Sequence, residues 1–539
     1  IAIHSEEDAE SLHTRRATQA VVLRGEGAAA YLDVEQIITA ARAAGVDAIH
    51  PGYGFLSEQA HFAAACEAAG ITFAGPAANL LALLGDKVAA REAAKAAGIP
   101  VLPGTAGPTT LEQAREFLAD AEGAPIILKA VAGGGGRGVR VVATADELAV
   151  AFPRAESEAK AAFGDGSLYC ERLVARARHI EVQVVGDGSG EVCHLWERDC
   201  SLQRRHQKVV EFAPAPGLPA GLRDRIIAAA VAMARHIRYR NAGTFEFLVD
   251  ASGALATDTR FYFIEANARL QVEHTVTEAV LGLDLVRIQL ELAGGASLRD
   301  VGLDPGRPPE PRGFAVQSRV NMERMTPTGQ AYPTGGKLTA FEPPSGPAIR
   351  VDTFGYAGYE TSPRYDSLLA KVIAHGDSVA MAIGRAQRAL AEFRIAGVET
   401  NIPFLEALLG CEEVVAGDTS TRFIDEHAAG LVEQSAAPGP RRFVEDAGLV
   451  GAEAGPRIAG AKVDTADPLA VLAYGKAAAK PAPNAVGDAA IIEGLSVLGA
   501  PLQGTVVSVS AGVGDSVRAG QTVAVMESMK MEHEIRAHC

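Results

Sequence analysis

The stretch FYFIEANARLQVEHTVTE (residues 261–278) combines strand-like alternation with polar side chains that are unusual in so apolar a run. If residues 261–270 form a strand, every second side chain shares one face. The side chains expected on the first face are Phe261, Phe263, Glu265, Asn267 and Arg269. On this face a carboxylate, an amide and a guanidinium stand in a row at two-residue spacing. Three further polar residues, Gln271, Glu273 and His274, follow directly.

A second alternating run, residues 244–249, precedes this stretch, and turn-forming residues 250–253 lie between the two. Two strands of one hairpin would bring Glu246 and Glu265 close together. Two neighbouring carboxylates and an amide oxygen form a hard-oxygen site, which Mg²⁺ prefers and shares with substrate phosphates. The alternative interpretation of this segment alone is a surface hairpin with incidental acids.

Composition limits the classes of protein that the chain can belong to. Its 539 residues indicate roughly three to five domains. The net charge of −16 argues against nucleic acid as the main partner. The six cysteines form no CxxC pair, and no apolar run is long enough to cross a bilayer. We therefore expect a reducing, cytoplasmic location and no membrane partner.

The first hundred residues alternate helix and strand signals, which is typical of an α/β fold. Residues 34–44 predict a helix, and a strand and turn follow. The segment HPGYGFLSE at residues 50–58 places turn formers around an aromatic side chain. It is either an ordinary strand-to-helix loop or a ligand-binding loop at the carboxyl end of a parallel strand.

Residues 125–131 form an apolar run that is typical of a buried strand, and a glycine-rich loop follows it. The loop, GGGGRG at residues 133–138, connects this strand to another at residues 139–142. Its backbone amides could hold phosphate oxygens, and Lys129 ends the strand beside it. It is not a Walker loop, because no Gly-Lys-Ser/Thr follows at the start of a helix. The alternative is a loose hairpin tip.

Two further segments carry candidate functional lysines. The basic cluster QRRHQK at residues 203–208 lies in an acidic chain, which favours a small-anion site over a nuclear-localisation patch. Near the end of the chain, two strand-like runs place Lys530 at a hairpin tip between Met529 and Met531. The ordinary interpretation is a solvated lysine between core methionines, and the functional one is presentation for covalent modification.

Five motifs in family order resemble biotin carboxylase, an ATP-grasp enzyme, and its biotin carrier hairpin. They are HPGYGFLSE, GGGGRG, DCSLQRRHQKVVE, FIEANARLQVEH and ESMKME. The resemblance implies an α/β (α+β) multidomain chain. The implied segments are a Rossmann-like domain at 1–101, an ATP-grasp domain at 102–312 with a lid at 102–174, a C-terminal domain at 313–428, a linker at 429–495 with a short docking helix, and an all-β biotinyl (barrel-sandwich) domain at 496–539. It also implies that the opening strand of the first domain and the second half of the last are missing.

The resemblance implies a role for individual residues. It assigns ATP to Lys87, Lys129, Glu171, Leu173 and His179, with Gly134, Gly135 and Gly136 in the mobile lid. It assigns Mg²⁺ or Mn²⁺ to Glu246, Glu265 and Asn267. It assigns bicarbonate to Lys208, Arg269, Gln271 and the backbone of Val272, and further cofactor contacts to Gln203 and His206. Glu273 would be the general base, Arg350 would stabilise the enolate of biotin, and Lys530 would carry biotin as an amide.

The implied reaction is carboxylation of carrier-bound biotin with ATP and bicarbonate, through carboxyphosphate. The implied partners are a carboxyltransferase domain or subunit, a biotin protein ligase and further copies in an oligomer. A pyruvate carboxylase would place a TIM barrel of ~250 residues between the two modules, and residues 411–496 leave too little room. We therefore favour the first half-reaction of an acyl-CoA carboxylase, in fatty acid metabolism.

Other classes stay open. Among biotin-dependent enzymes they are the 3-methylcrotonyl-CoA, geranyl-CoA and pyruvate types. A different ATP-grasp ligase is a further alternative, against which Lys530 argues, and a non-catalytic carrier is another. The chain also departs from the family at three places: Phe212 replaces an acid, Gln317-Ser318-Arg319 replaces Glu-x-Arg, and the hairpin at residues 251–260 is longer.

Overall fold

The computed structural model describes residues 1–121, 123–131, 139–326, 329–436, 439, 441–443, 498, 505–512, 516–528 and 531–537. The chain forms two compact units, residues 1–441 and residues 442–539. Within these described ranges, no helix is long and apolar enough to cross a membrane.

The larger unit begins with short parallel strand pairs and helices, as the alternating signals predicted. The strands are β1 (Ala2–His4), β2 (Ala20–Val22), β3 (Ala48–Ile49) and β4 (Thr72–Phe73), paired β1–β2 and β3–β4. The helices are α1 (Leu12–Arg16), α2 (Val34–Ala44), α3 (Ala60–Ala68), α4 (Ala78–Gly85) and α5 (Lys87–Ala96), with 3-10 turns at Glu6–Asp8 and Gly27–Leu32. Asp86 caps α5 by accepting from the amides of Val88 and Ala89, and this cap places Lys87 at the first position of the helix.

A small antiparallel sheet follows, in the order β6–β5–β7. Its strands are β5 (Ile126–Ala130), β6 (Arg140–Val142) and β7 (Leu168–Arg172), and the helices beside it are α6 (Leu111–Asp120) and α7 (Ala145–Phe163). The register sets Lys129 opposite Tyr169, and Ile127 opposite Glu171. The predicted glycine loop, with Gly134, Gly135 and Gly136, lies outside the described residues.

The main sheet has eight antiparallel strands in the order β12–β11–β8–β9–β10–β13–β18–β17. Up to the sequence boundary predicted at residue 312, the elements are β8 (Ala177–Asp187), β9 (Val192–Arg204), β10 (Gln207–Ala213), α8 (Ala220–His236), β11 (Arg240–Asp250), β12 (Phe261–Asn267), α9 (His274–Leu281) and α10 (Leu285–Ala293).

Because β10 pairs with β13, the same sheet continues beyond this boundary through three strands, beside helices and two separate two-stranded sheets. The described elements of this part of the chain are β13 (Phe314–Asn321), β14 (Glu323–Met325), β15 (Ala331–Pro333), β16 (Ala340–Glu342), β17 (Ile349–Thr353), β18 (Leu368–Gly376), α11 (Val379–Glu392), β19 (Arg394–Ala396), α12 (Ile402–Leu409), α13 (Glu412–Ala416) and α14 (Phe423–Ser435). The last helix spans the predicted linker boundary at residue 428.

One face of β8, β11 and β12 forms a core with α8. The buried side chains of this core include Ile180, Val182, Val184, Phe245, Phe247, Val249, Leu222, Ile226 and Met233. Because side chains alternate along a strand, the residues between these apolar positions face the other side. That other side carries the polar groups described below.

The alternation predicted along residues 261–270 is wrong in its first half. Glu246 pairs with Glu265, but the next residue, Phe247, pairs with Phe263, so Ile264 has no partner in the register. This bulge reverses the side-chain direction. Phe261 and Phe263 therefore join the same core as Ala266 and Ala268, and they do not share the face of Glu265 and Asn267.

The described residues of the smaller unit form three antiparallel strands, β20 (Thr505–Val509), β21 (Thr522–Ser528) and β22 (Met531–Arg536). The register pairs Ser528 with Met531. The predicted hairpin is thus confirmed in its strands. Met529, Lys530 and the predicted docking helix near residues 469–475 lie outside the described residues.

Candidate active site

A row of charged residues crosses four adjacent strands of the main sheet. Glu265 on β12 pairs with Glu246 on β11, which pairs with Glu181 on β8, which pairs with Arg198 on β9. Glu181 and Arg198 are completely buried, and Glu246 is 3% exposed. The predicted proximity of Glu246 and Glu265 is therefore confirmed.

Three carboxylates directly opposite one another repel, so the row needs compensating cations. Lys208 supplies one: its Nζ donates to Glu181 Oε2 at 2.6 Å, to Glu246 Oε1 at 3.1 Å and to Glu273 Oε1 at 2.7 Å. Burial opposes the charge on Lys208, but Cys200, Glu181 and the other acids outweigh it and raise its pKa well above its ordinary value. Lys208 therefore stays an ammonium at neutral pH.

Glu273 precedes α9 and is 2% exposed. Its Oε2 accepts from Nη2 of Arg319 at 3.1 Å, opposite the oxygen that Lys208 binds. Burial alone would raise the pKa of Glu273, but the charges of Lys208 and Arg319 outweigh it and hold the pKa far below its usual value. Glu273 is thus ionised, which is the form that a general base requires.

The predicted metal ligands offer hard oxygen donors, but the oxygens of two of them, Glu246 and Asn267, at present accept hydrogen bonds from side-chain N–H groups. Glu246 Oε1 accepts from Asn267 Nδ2 at 2.7 Å and from Gln271 Nε2 at 2.8 Å. Asn267 Oδ1 accepts from Arg269 Nη2 at 3.1 Å, so this oxygen points away from Glu246. The facing carboxylates Glu246 and Glu265 fit a divalent cation, provided that the amide of Asn267 turns.

His179 is a further neighbour of Glu246. Its Nε2 lies 2.7 Å from Glu246 Oε2, and its Nδ1 contacts Gln203 Nε2 at 2.6 Å. Burial disfavours a protonated imidazole, but Glu246 outweighs burial and raises the pKa of His179. Together with Lys208, His179 lowers the pKa of Glu246 well below its usual value although burial acts in the opposite direction.

Three of the residues assigned to ATP, Lys87, Lys129 and Glu171, lie near one another between β5, β7 and the start of α5, whereas His179 lies beside Glu246. Lys129 Nζ donates to Glu171 Oε2 at 2.5 Å. Burial opposes its charge, but Glu171 and Tyr169 raise the pKa of Lys129. Burial and the charge of Lys129 lower the pKa of Lys87, against the opposing effect of Glu265. The Leu173 amide donates to the carbonyl of Pro125 at 3.1 Å, so this N–H is already engaged.

The predicted anion-binding arginine, Arg269, is fixed from three sides. Its Nε donates to Glu58 Oε2 at 2.8 Å, its Nη1 to the Leu270 carbonyl at 3.1 Å and its Nη2 to Asn267. Glu58 belongs to the HPGYGFLSE segment, so this loop contacts the residue predicted to bind the anion; a ligand-binding role of the loop stays a prediction. Counting the acceptors among the described residues, one Nη1 and one Nη2 hydrogen remain for an anion.

Two other predicted residues lie apart from this cluster. Arg350 on β17 donates to Glu278 and to Asp352. His206 sits in the exposed turn between β9 and β10, where it and Arg205 have positive φ angles of 65° and 48°. The contacts of His206 with a cofactor thus stay a prediction.

Four family models match the chain. They are "Biotin carboxylase, N-terminal domain" at residues 1–81, "Carbamoyl-phosphate synthase L chain, ATP binding domain" at 86–301, "Biotin carboxylase C-terminal domain" at 317–426 and "Biotin-requiring enzyme" at 496–539. The structure of the biotin carboxylase domain of a single-chain bacterial carboxylase is 49% identical, with a TM-score of 0.71, over 81% of this chain and 93% of that one.

The chain belongs to the biotin carboxylase family. The biotin carboxylase domain dimer of the Hydrogenobacter thermophilus 2-oxoglutarate carboxylase, solved with MgADP, ADP and bicarbonate, is 39% identical (TM-score 0.74; 80% of this chain, 92% of that one). A single-chain, multi-domain long-chain acyl-CoA carboxylase is also 39% identical, with a TM-score of 0.69, and its similarity covers 99% of this chain and 45% of that one.

Among curated proteins, pyruvate carboxylase 1 of Caenorhabditis elegans is 52% identical over 432 residues. The similarity covers 79% of this chain and 36% of that protein, so the chain spans about a third of its relative. Family membership therefore fixes an ATP-binding module and a biotin-type carrier module, and not the acceptor of the carboxyl group.

Sequence reasoning missed the residue that joins the parts of this biotin carboxylase site. The Arg198 guanidinium donates hydrogen bonds to five side chains at once. Apart from the contact with Glu181, the donor–acceptor distances are 2.8–3.1 Å. These partners are Glu181, Gln183, Thr244, Gln271 and Thr277. A fully buried arginine needs several acceptors, but the burial of Arg198 becomes visible only in the structure.

Two of the three departures from the family pattern, at Gln317 and at Phe212, fit their surroundings in this structure. Gln317 donates to Glu211 Oε2 at 2.9 Å and accepts from Thr275, so a second carboxylate at 317 would face Glu211. Burial raises the pKa of Glu211, with Glu273 acting in the same direction and Arg319 against it. The neutral amide thus avoids a further like charge.

Phe212, a second departure, is 5% exposed and packs in an apolar core with Leu202 and Val316. An acid at this position would be buried among apolar side chains unless its surroundings changed as well.

Proposed function

We propose that this chain catalyses the ATP- and bicarbonate-dependent carboxylation of biotin, as the first half-reaction of an acyl-CoA carboxylase. The observation that supports it best is the ammonium of Lys208, which binds Glu273 and Glu246 at once. A base for bicarbonate and a ligand for nucleotide-bound metal are thereby held a few ångströms apart, where an anion could meet the γ-phosphate.

Bicarbonate is a poor electrophile and needs activation. Glu273 removes its proton, and the resulting oxygen attacks the γ-phosphorus of ATP in line. A new O–P bond forms as the bond from this phosphorus to the β–γ bridging oxygen breaks. The products are carboxyphosphate and ADP, and the proton stays on Glu273. Arg269 and Gln271 orient the anion through hydrogen bonds.

The strength of the base depends on its neighbours. A general base works best when its pKa lies near the working pH, and Glu273 is held far below that range by Lys208 and Arg319. A bound anion that accepts a hydrogen bond from the Lys208 ammonium weakens the contact between Lys208 and Glu273. The pKa of Glu273 then rises, so binding of bicarbonate itself prepares the base.

Glu246 and Glu265, with Asn267 after rotation of its amide, would hold Mg²⁺ or Mn²⁺. When bound, the metal supplies positive charge to the phosphate oxygens. Lys87 and Lys129 add charge on the nucleotide side, next to Glu171. Gly134, Gly135 and Gly136 remain the predicted lid that excludes water from carboxyphosphate.

Lys530 would carry biotin. Its ureido nitrogen would bond to the carboxyl carbon as the C–O bond between this carbon and phosphate breaks, and the departing phosphate would take the N–H proton. In the described part of the chain, Arg350 keeps one Nη1 and one Nη2 hydrogen that neither Glu278 nor Asp352 accepts. These hydrogens would stabilise negative charge on the ureido oxygen.

An acyl-CoA acceptor is supported by the arrangement of modules. The long-chain acyl-CoA carboxylase matches 99% of this chain, carrier segment included. The C-terminal family model ends at residue 426 and the biotin model begins at residue 496, which leaves far too few residues for a barrel of ~250. The carboxyltransferase would be another domain or a partner subunit.

A pyruvate acceptor is the second candidate. The observation in its favour is the 52% identity to a pyruvate carboxylase over 432 residues, which exceeds the identity to the acyl-CoA carboxylase. That identity concerns the biotin carboxylase part, which the two classes share, so it bears weakly on the acceptor.

The deciding experiment uses the full-length gene product with ATP and ¹⁴C-bicarbonate. Separate reactions contain a long-chain acyl-CoA, a short-chain acyl-CoA, pyruvate or 2-oxoglutarate, and acid-stable label is counted. We expect label in an acyl-CoA product. Label in oxaloacetate instead would assign the pyruvate type. Absence of bicarbonate-dependent ADP release in all reactions would contradict the biotin carboxylase activity itself.

A further inference from the structure

Lys371 is a buried ammonium for which the proposed mechanism has no use. It lies on β18 and is 4% exposed. Its Nζ donates to the Val272 carbonyl at 2.9 Å and lies 3.3 Å from Oδ2 of Asp352. Removing an ammonium from water costs several kcal/mol, so an apolar residue would serve packing better. Packing alone therefore does not explain why position 371 carries a charged residue.

The first contact of Lys371 concerns the proposed base. Val272 immediately precedes Glu273, so fixing its carbonyl fixes the peptide from which the Glu273 side chain departs. Lys371 also pairs with Arg319 in the register of β13 and β18. Arg319 holds the carboxylate of Glu273 at 3.1 Å. Two neighbouring cations thus hold Glu273, one by its side chain and the other by the preceding main chain.

The second contact of Lys371 concerns Arg350. Asp352 pairs with Lys371 in the register of β17 and β18. It also binds Arg350 in a two-pronged contact, with Nε at 2.8 Å from Oδ1 and Nη2 at 2.9 Å from Oδ2. This fork-like geometry fixes the plane of the guanidinium.

A second connection runs through α9, the helix that starts directly after Glu273. Glu278 on this helix accepts from Arg350 Nη1 at 2.6 Å through Oε2, while its Oε1 accepts from the Leu285 amide at 2.8 Å. Arg350 is therefore joined to the Glu273 segment by two paths. One is Asp352, Lys371 and the Val272 carbonyl, and the other is Glu278.

We propose that Lys371 is a positioning residue that fixes the distance between Glu273, which activates bicarbonate, and Arg350, which faces biotin. This inference rests on the proposed function. The carboxyl group forms at one of these residues and is accepted at the other, so their spacing governs transfer more than it governs ATP cleavage. A displacement of about 1 Å costs ~10²-fold in rate.

The test measures two rates on the same protein: bicarbonate-dependent ADP release, and ¹⁴C-carboxylation of free biotin added at fixed concentration. The ratio of ATP cleaved to biotin carboxylated does not depend on how much of the protein is folded. We expect Lys371→Met to raise this ratio ~10-fold or more, because transfer loses more than cleavage. Lys371→Arg keeps a cation that reaches both acceptors and should restore a ratio near that of the wild type.

Asp352→Asn is the second variant, since it removes the charge between Lys371 and Arg350 without emptying a buried position. It should raise the ratio as well, whereas Lys95→Met, at an exposed position, should leave it unchanged. An unchanged ratio in Lys371→Met and Asp352→Asn, with active wild type, would overturn the positioning role alone. A wild-type chain without bicarbonate-dependent ADP release would contradict the proposed function instead.

Discussion

Lys208 Nζ and Glu273 Oε1 lie 2.7 Å apart, and this contact joins strand β10 to the segment that leads into α9. Because the same ammonium also donates to Glu246 at 3.1 Å, the proposed base and a proposed metal ligand share one cation. The ionisation of either carboxylate therefore influences the other.

The role of Glu273 can be tested with an isosteric amide. We expect Glu273→Gln to lower bicarbonate-dependent ATP hydrolysis by ~10²-fold or more, because an amide cannot take the proton. Its oxygen can still accept from Lys208, so the fold should persist. Released phosphate is the readout, and Glu310→Gln, at an exposed position, is the matched control. Normal turnover in the first variant would assign the base to another residue.

The paired carboxylates predict a dependence on metal concentration. Glu265→Gln should raise the Mg²⁺ concentration needed for half-maximal activity by ~10–100-fold, because changes around a metal site weaken binding to that extent or more. The measurement is the initial rate against free Mg²⁺ at saturating ATP. Asp258→Asn changes an exposed acid in the same hairpin and should leave the curve unshifted. Equal curves for both variants would rule out Glu265 as a ligand.

Arg198 predicts a large effect on stability. Arg198→Met leaves the buried carboxylate of Glu181 without its paired guanidinium, and we expect the free energy of unfolding to fall by ~3–5 kcal/mol. Urea denaturation followed by circular dichroism measures this change. Arg287→Met serves as the control, since Arg287 is 62% exposed and its pair with Glu291 should contribute ~0.5 kcal/mol or less. A similar small loss for Arg198 would mean that the network contributes little.

His274 predicts a loss of stability in mild acid. Burial, with the charges of Lys371 and Arg350, lowers the pKa of His274 from 6.5 to about 4. The folded chain keeps the imidazole neutral, whereas the unfolded chain binds a proton below about pH 6.5. The stabilisation is therefore complete above pH 6.5 and declines as the pH falls towards 4, by ~2 kcal/mol at pH 5.

The comparison of wild type with His274→Asn isolates this contribution. The variant should be less stable than the wild type at pH 7, and the difference should shrink by ~2 kcal/mol at pH 5. His61→Asn, at an exposed position, should show no such convergence. A difference that stays constant between the two pH values would mean that His274 is not kept neutral by the fold.

The carrier assignment predicts covalent biotin. Purified protein from cells that contain a biotin protein ligase should bind streptavidin, and Lys530→Ala should abolish binding, because that amine is the expected attachment point. Lys95→Ala, which removes an exposed lysine elsewhere, should bind like the wild type. Retained binding by Lys530→Ala would remove the assignment of this lysine.

Local patterns were enough to predict part of the site. The alternation in residues 244–249 and 261–270 was sufficient to bring Glu246 opposite Glu265, because a short hairpin determines its own pairing. The same alternation failed at Ile264. A bulge depends on how the strand packs against its neighbours, here α5 and β11. No residue type between Phe261 and Asn267 indicates the bulge in the sequence.

The contacts that hold the site together come from more distant pairings. Arg198 meets Gln271 and Thr277 only because β8, β9 and β11 adopt one particular register, with bulges, and because α9 packs nearby. Glu58 meets Arg269 across more than two hundred residues of chain. Spacing along the sequence carries no information about such encounters, so these residues could be found only from the structure.

The pairing of β10 with β13 has a consequence for how the enzyme could be divided. Residues 312 and 313 separate two segments by sequence, yet the strands on either side share one hydrogen-bonded ladder. Cutting the chain there would bare two long strand edges, each a template for aggregation. The nucleotide-binding part and the part that carries Arg350 are therefore expected to fold together as one unit.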